Sequence, residues 1–175
     1  LEVLILFLSN NPGISILDVS NNLLLRKLTA QNCFFDTTLL NTSNNIALTH
    51  LTLEGISNLD LSNNINLKYL NVTGHSLSNL DLSSNSLLET LICSGNQIDS
   101  LNLSQNTSLT HIEAGSSNLK NLDISNGNNT NLTIFNANNP QLYCIQVDDI
   151  NYANANLLNG INTTISTFSD NCGNE

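Results

Sequence analysis

Few side chains in this sequence could do chemistry, and their types restrict what that chemistry is. Four cysteines, Cys33, Cys93, Cys144 and Cys172, could form two disulfides or hold a metal. Three histidines, His50, His75 and His111, could complete a zinc site if cysteines lay at ligand spacing. Serines recur at 20, 43, 62, 83, 104 and 125, but a serine hydroxyl becomes a nucleophile only beside a base. Aspartates such as Asp60 and Asp81 could gather oxygens around calcium. The choice among these depends on what the chain places beside what.

The elements that position them are set by a period. Leu59-Asp60-Leu61-Ser62-Asn63-Asn64 returns as Leu80-Asp81-Leu82-Ser83-Ser84-Asn85, as Leu101-Asn102-Leu103-Ser104-Gln105-Asn106 and as Leu122-Asp123-Ile124-Ser125, each 21 residues after the last. Earlier copies are Leu17-Asp18-Val19-Ser20-Asn21-Asn22 and the looser Leu40-Asn41-Thr42-Ser43-Asn44-Asn45. A second series lies between them: Leu28-Thr29-Ala30, Leu51-Thr52-Leu53, Leu70-Asn71-Val72, Leu91-Ile92-Cys93, Ile112-Glu113-Ala114 and Phe135-Asn136-Ala137. Alternation of apolar and polar residues over a few positions is the mark of a strand. Each coil therefore predicts two short strands, one per side, and stacking predicts two parallel sheets of at least five strands each. Leu61, Leu82 and Leu103 fall in the core between them.

Between strands the chain must turn, and Asn-x-x-Leu-x-x-Leu does so from Asn22, Asn45, Asn64, Asn85 and Asn106. A tight turn buries backbone groups without partners, at roughly 1–3 kcal/mol each. An amide offers both a donor and an acceptor, so a column of asparagines predicts a ladder that serves the turns of neighbouring coils. The composition agrees with such an array. Hydrophobic residues make up 40% but aromatics only 5%, with no Met or Trp, so each coil buries the same small branched volume.

The register then weighs the chemistry. Cys93 takes an inward strand position and Cys33 a position in an asparagine column, three coils apart, or roughly 14 Å at strand spacing. A disulfide needs Cα atoms within about 7 Å, so both are expected to be free thiols. His50 and His111 share a column but are also three coils apart, and His75 stands in an asparagine column, so no metal site is expected. The row Asp18, Asn41, Asp60, Asp81, Asn102 and Asp123 faces solvent. Calcium on the Asp60/Asp81 row is one reading. A solvated face whose Asp and Asn bond to adjacent turns is the favoured one, because calcium wants six to eight oxygens. No histidine stands at a matching offset to the serine column, so no catalytic residues and no cofactor are expected.

Lys plus Arg number 4 against 14 Asp plus Glu, a formal net charge of −10. No basic surface exists to displace counterions from phosphates, which excludes nucleic acid, and anionic lipid is disfavoured likewise. The apolar run from Leu1 to Leu8 lacks a basic flank and a cleavage site and is too short to span a bilayer.

These residues resemble the leucine-rich repeat, Leu-x-x-Leu-x-Leu-x-x-Asn/Cys-x-Leu. The segment from Leu88 through Leu91, Cys93 and Asn96 to Ile98 follows it over most of its length. The doubled short form looks like the secreted repeat proteins of Bacteroidota. The tail, from Asn126-Gly127-Asn128 through Cys144-Ile145-Gln146-Val147-Asp148-Asp149 to Phe168-Ser169-Asp170-Asn171-Cys172, resembles the C-terminal cap of that group. The resemblance implies a leucine-rich-repeat solenoid of about six to seven coils, with an array over 1–143 and a C-terminal cap over 144–175. On this reading Cys144 and Cys172 bracket the cap as a disulfide, which implies an oxidising compartment; two reduced buried thiols are the alternative. The family implies a secreted or cell-surface protein acting on protein or glycan partners.

Comparing copies within the chain shows where a partner would bind. The first-series face is uniform, while the second-series face varies. Its candidate binding residues are Arg26, Lys27, His50, Glu54, Lys68, Tyr69, His111 and Glu113, with further outward positions at Gln31, Thr73, Ile92 and Asn136. Tyr and Arg dominate binding hot spots. The expected function is a non-catalytic binding or adhesion module; the alternative is a structural spacer or targeting appendage of a larger secreted protein. The apolar N-terminal edge, with Leu4 and Leu6 in it, predicts self-association or cover by a preceding segment.

Overall fold

A leucine flanked by polar residues can bury one side chain and still satisfy its backbone, provided a like segment lies on each side. The computed structural model meets that condition with stacked three- to five-residue strands; it describes residues 1–7, 17–31, 40–74, 76–162, 164 and 166–172. In chain order the strands are β1 (Val3–Phe7), β2 (Lys27–Gln31), β3 (His50–Leu53), β4 (Tyr69–Asn71), β5 (Thr90–Ile92), β6 (Ser100–Asn102), β7 (His111–Glu113), β8 (Asn121–Asp123), β9 (Ile134–Asn136), β10 (Cys144–Gln146) and β11 (Thr167–Ser169). They form a seven-stranded sheet, β1-β2-β3-β4-β5-β7-β9, and a four-stranded sheet, β11-β10-β8-β6. Every pairing is parallel. The chain is a leucine-rich-repeat-like solenoid.

The core is the stack of inward positions. In the seven-stranded sheet Leu28, Leu51, Leu70, Leu91 and Ile112 are register partners in one column, with Leu4 and Phe135 packed at its ends. The spacer leucines Leu25, Leu48, Leu67, Leu88 and Leu109 are wholly buried, as are Leu61, Leu82 and Leu103 on the opposite side.

That opposite side departs from expectation: four strands are present among the described residues, where the repeat predicts at least five. The segments at 17–19, 40–42, 59–61 and 80–82 keep their core positions but form no backbone ladder. Asparagine side chains join these coils instead. Nδ2 of Asn45, Asn64, Asn85 and Asn106 donates to the carbonyls of Val19, Thr42, Leu61 and Leu82 in the preceding coil, at 2.9–3.2 Å. Each of the same carbonyls of Val19, Thr42, Leu61 and Leu82 also accepts the backbone N–H three residues on, closing the turn. One carbonyl thus serves both its own turn and the next coil.

Residues 144–169 continue the same columns. Ile145 pairs in register with Leu122, and Phe168 with Ile145. Between β10 and β11 runs α1 (Ile150–Asn156), started by Asp149, whose carboxylate accepts from the N–H groups of Asn151 (2.8 Å) and Tyr152 (3.0 Å). A short 3₁₀ turn, Leu158–Gly160, closes on β9, where the Gly160 carbonyl accepts from Ala137 N–H at 2.7 Å. A Cβ at Gly160 would stand 2.1 Å from the Phe135 carbonyl oxygen, so this approach requires glycine. Cys144 and Cys172 are joined by a disulfide, with Cα atoms 5.8 Å apart.

Candidate functional site

Because side chains alternate across a strand, the seven-stranded sheet turns every second residue outward. One outward row is fixed by register: Val3, Lys27, His50, Tyr69, Thr90, His111 and Ile134. Beside it run Arg26, Thr49, Lys68, Glu89, Thr110 and Thr133, the residues that precede each strand. On its other side run Ile5, Thr29, Thr52, Asn71, Ile92, Glu113 and Asn136.

The threonines of the preceding row are fixed to the scaffold. The hydroxyls of Thr49, Thr110 and Thr133 donate to the carbonyls of Arg26, Glu89 and Thr110 in the coil before. This leaves Arg26, Lys68 and Glu89 as its projecting members. Lys68 Nζ meets Glu89 Oε1 at 2.8 Å, with both side chains about half exposed, a pairing that contributes little in water.

His50 is the most constrained member of the face. It lies in register between Lys27 and Tyr69, and its ring stacks on Tyr69 with centroids 5.8 Å apart and planes 19° from parallel. The Thr49 hydroxyl has one proton, which it donates to the Arg26 carbonyl, so it accepts from Nδ1–H of His50 at 2.9 Å. Partial burial pushes the His50 pKa below 6.5, and the positive charge of Lys27 pushes it further. His111 stands three strands away, its Nε2 2.7 Å from Oε1 of Glu113. Histidine and histidine are not brought together; histidine and aromatic, and histidine and carboxylate, are.

The outward row needs a correction. Gln31, Glu54 and Thr73 do not share a row with Ile92, Glu113 and Asn136; the register partners are Thr29, Thr52 and Asn71. Counting on from the end of the strand, rather than from its buried leucine, slid three coils by one full pleat. Glu54, just past the end of β3, instead accepts from Nε2 of Gln31, the last residue of β2, at 3.2 Å.

The opposite face is committed to its own turns. Oδ1 of Asp18, Asn41, Asp60, Asp81, Asn102 and Asp123 accepts, at 2.9 Å in every coil, the backbone N–H of the serine two residues on. The Asp and Asn thus bond their own coil's turn and not the adjacent one. A shallow groove of about 200 Å³ lies between Asp60 and Asp81. Among the described residues no three His, Cys, Asp or Glu side chains gather as a metal site would require. Cys93 is buried and unbonded, its thiol pushed up to about 12 by burial. Cys33 and His75 lie outside the described residues. Among the described residues no helix is long and apolar enough to cross a membrane.

Sequence reading missed one surface. The two residues after each ladder asparagine sit at the corner between the two sides, and Leu23, Leu24, Ile46, Ile65 and Leu87 there are 44–66% exposed. The signal was present in the unspecified positions of Asn-x-x-Leu.

Neither a protein-family model nor a curated protein matches the sequence. Among solved structures the chain is similar to the functional domain of InlJ from Listeria monocytogenes, which includes a cysteine ladder. The TM-score is 0.52 at 27% sequence identity, over 76% of this chain. The chain spans 38% of the length of that structure. Here the stacked column Ala30, Leu53, Val72, Cys93, Ala114 and Ala137 holds a single cysteine, and asparagine forms the ladder.

Proposed function

We propose that the protein is a non-catalytic binding or adhesion module that engages a protein or cell-surface partner through the outer face of the seven-stranded sheet. The contrast between the two faces carries this reading. On one side the polar residues are repeated and engaged by the backbone. On the other, Arg26, Lys27, His50, Lys68, Tyr69, His111 and Glu113 differ from coil to coil; His50 stacks on Tyr69, His111 meets Glu113 and Lys68 meets Glu89, contacts that no turn requires. Tyr69 stacked on His50 forms a flat amphipathic anchor of the kind that dominates interfaces. Glycan partners are the weaker version, since among the described residues Tyr69 is the one tyrosine or larger aromatic on this face.

The module works outside the reducing cytoplasm, secreted or displayed at the cell surface, as the Cys144–Cys172 bridge supports. The short doubled repeat and its cysteine-bearing tail support a place among secreted repeat proteins of the Bacteroidota type. Residues 144–175 act as the cap of a 1–143 array.

The test is binding to a panel of extracellular proteins and glycans by wild type and two triple variants. One carries Arg26→Thr, Tyr69→Ser and His111→Thr on the sheet; the other carries Asp60→Asn, Asp81→Asn and Asp123→Asn opposite. The first should lose at least about tenfold in affinity for any ligand found, since anchors of this type are worth more than about 1 kcal/mol each. The second should keep it. Saturable binding that survives the sheet variant would move the site elsewhere. Absence of any saturable binding would favour a structural spacer or targeting appendage.

A further inference from the structure

The exposed apolar corner is not a demand of the fold. In coil after coil two residues separate the ladder asparagine from the next buried leucine: Leu23-Leu24, Ile46-Ala47, Ile65-Asn66, Ser86-Leu87, Thr107-Ser108. The last of these pairs is wholly polar, yet Leu109 beside it is as buried as Leu25. Five large apolar side chains nevertheless stand exposed in the first four of these turns. Leu23, Ile46 and Ile65, each first after its ladder asparagine, form one stripe, with Leu24 and Leu87, each second, beside its two ends. Nδ2 of Asn45, Asn64 and Asn85 donates to the backbone carbonyl of Asn22, Asn45 and Asn64, at 2.9–3.0 Å. The residues that follow are therefore stacked one coil apart, roughly 4.8 Å. Contiguous exposed apolar surface of this kind marks an interaction site.

Charge says what the stripe fits. On a chain of net charge −10, three of the four cations, Arg26, Lys27 and Lys68, lie immediately past the inward leucines of these same coils. Lys68 is held by Glu89, but neither Arg26 nor Lys27 has an ion-pair partner among the described residues. Salt screens charges beyond about 8 Å at physiological strength, so a carboxylate at this corner responds to these cations more than to the aspartates opposite. Geometry favours a helix. Its turns rise about 5.4 Å, close to the coil spacing, so apolar side chains at i, i+4 and i+7 seat between successive stripe residues.

We propose that the Leu23–Leu87 corner docks an acidic amphipathic polypeptide helix, its apolar face on the stripe and its carboxylates toward Arg26 and Lys27. The proposal rests on the binding-module reading only for the existence of a protein partner; the stripe itself lies outside the sheet face.

The probe is a fluorescent 18-residue peptide of Leu and Glu with Leu at helical spacing, titrated by anisotropy beside a copy with Lys for Glu. Wild type should bind the acidic peptide saturably and the basic copy at least about tenfold more weakly, a difference of about 1.4 kcal/mol. Leu24→Ser with Ile46→Thr and Ile65→Thr uses residue types that Thr107 and Ser108 show this turn accepts; circular dichroism checks its fold. That variant, and separately Arg26→Gln with Lys27→Gln, should lose about tenfold or more. Tyr69→Ser with His111→Thr should bind the peptide as wild type does, whatever it does to the sheet-face partner. The idea is overturned by equal binding of the stripe variant, by no preference for the acidic peptide, or by no binding at all. It is equally overturned if the stripe variant abolishes dimerisation of this chain in light scattering, or binding to phosphatidylcholine vesicles, while the acidic peptide remains unbound.

Discussion

The hydroxyl of Thr42 donates to Oδ1 of Asn64, one coil away, at 3.1 Å, with both side chains buried. Thr42 is the polar member of an inward column that otherwise holds Val19, Leu61, Leu82 and Leu103. Every asparagine from Asn45 to Asn106 in that ladder uses its Nδ2 twice, on two carbonyls of the preceding coil. The acceptor half fares differently. Oδ1 of Asn45, Asn85 and Asn106 is buried without a partner, and Asn64 alone of the four is satisfied, by Thr42. The ladder is a column of donors whose acceptors are left over.

Thr42→Val keeps the shape and removes the hydroxyl, leaving Asn64 Oδ1 like its neighbours. An unmet buried acceptor costs about 1–3 kcal/mol, so a loss in that range is expected in urea unfolding. Val19→Thr is the reverse experiment, because Asn45 Nδ2 contacts the Val19 carbonyl just as Asn64 Nδ2 contacts that of Thr42. Its new hydroxyl can reach Asn45 Oδ1, so stability should hold or rise. Equal losses from the two substitutions would show that the Thr42–Asn64 contact has no energetic weight.

The cysteines give a second expectation. Cys93 should resist iodoacetamide at pH 8 in the folded protein, since burial removes access and its thiol is pushed up to about 12. It should react once urea is added without reductant, while Cys144 and Cys172 stay silent until the bridge is reduced. Opening that 28-residue separation should cost about 3–4 kcal/mol by the loop-entropy relation. Alkylation of Cys144 or Cys172 in unreduced, unfolded protein, read by mass spectrometry of peptides, would remove the argument for an oxidising compartment.

The period made the array legible because every coil repeats the same burial problem: Leu61, Leu82 and Leu103 are where spacing puts them. The missing strands near Leu61 and Leu82 were illegible, because Leu-x-Leu alternation reports which side chains are buried and is the same with or without a backbone ladder to the next coil. His50 beside Tyr69 was half legible. Both were read onto one face, each just before its buried leucine, but only the structure shows their rings stacked. Leu24 and Ile65 were passed over because a turn position carries no periodic demand, and only exposure shows that they project.

On the sheet face, His50 should titrate below 6.5 in NMR, because partial burial and then Lys27 disfavour its cation. Lys27→Gln removes the second cause and should move the value upward, though not the whole way, while Lys120→Gln should leave it in place. Folding lowers the pKa of this base, so its contribution to stability is complete above 6.5. That contribution declines as the pH falls from there to the depressed folded value. A His50 value unmoved by Lys27→Gln would show that the register neighbour exerts no field on the ring.

The aspartate row supplies the last test. Asp60 and Asp81 are held below 3.8 first by the backbone N–H groups of Ser62 and Ser83 and then by those serines' side chains; Asp60 also repels Asp81, which opposes the shift. Asn41 and Asn102 make the same turn bond without a charge, so Asp60→Asn with Asp81→Asn should keep the fold and its turns. Folding depresses the two carboxyl pKa values, so the unfolded chain takes up protons first as the pH falls. The stability they contribute is complete above the ordinary value of about 4 and is lost on descent through the folded values. Wild type and the double variant should therefore unfold at similar urea concentrations at pH 7, and the variant should lose less between about pH 4 and pH 2. Parallel decline of the two proteins over that range would show that the serine N–H bonds do not favour the ionised carboxylates, and that the row serves only as a set of turn formers.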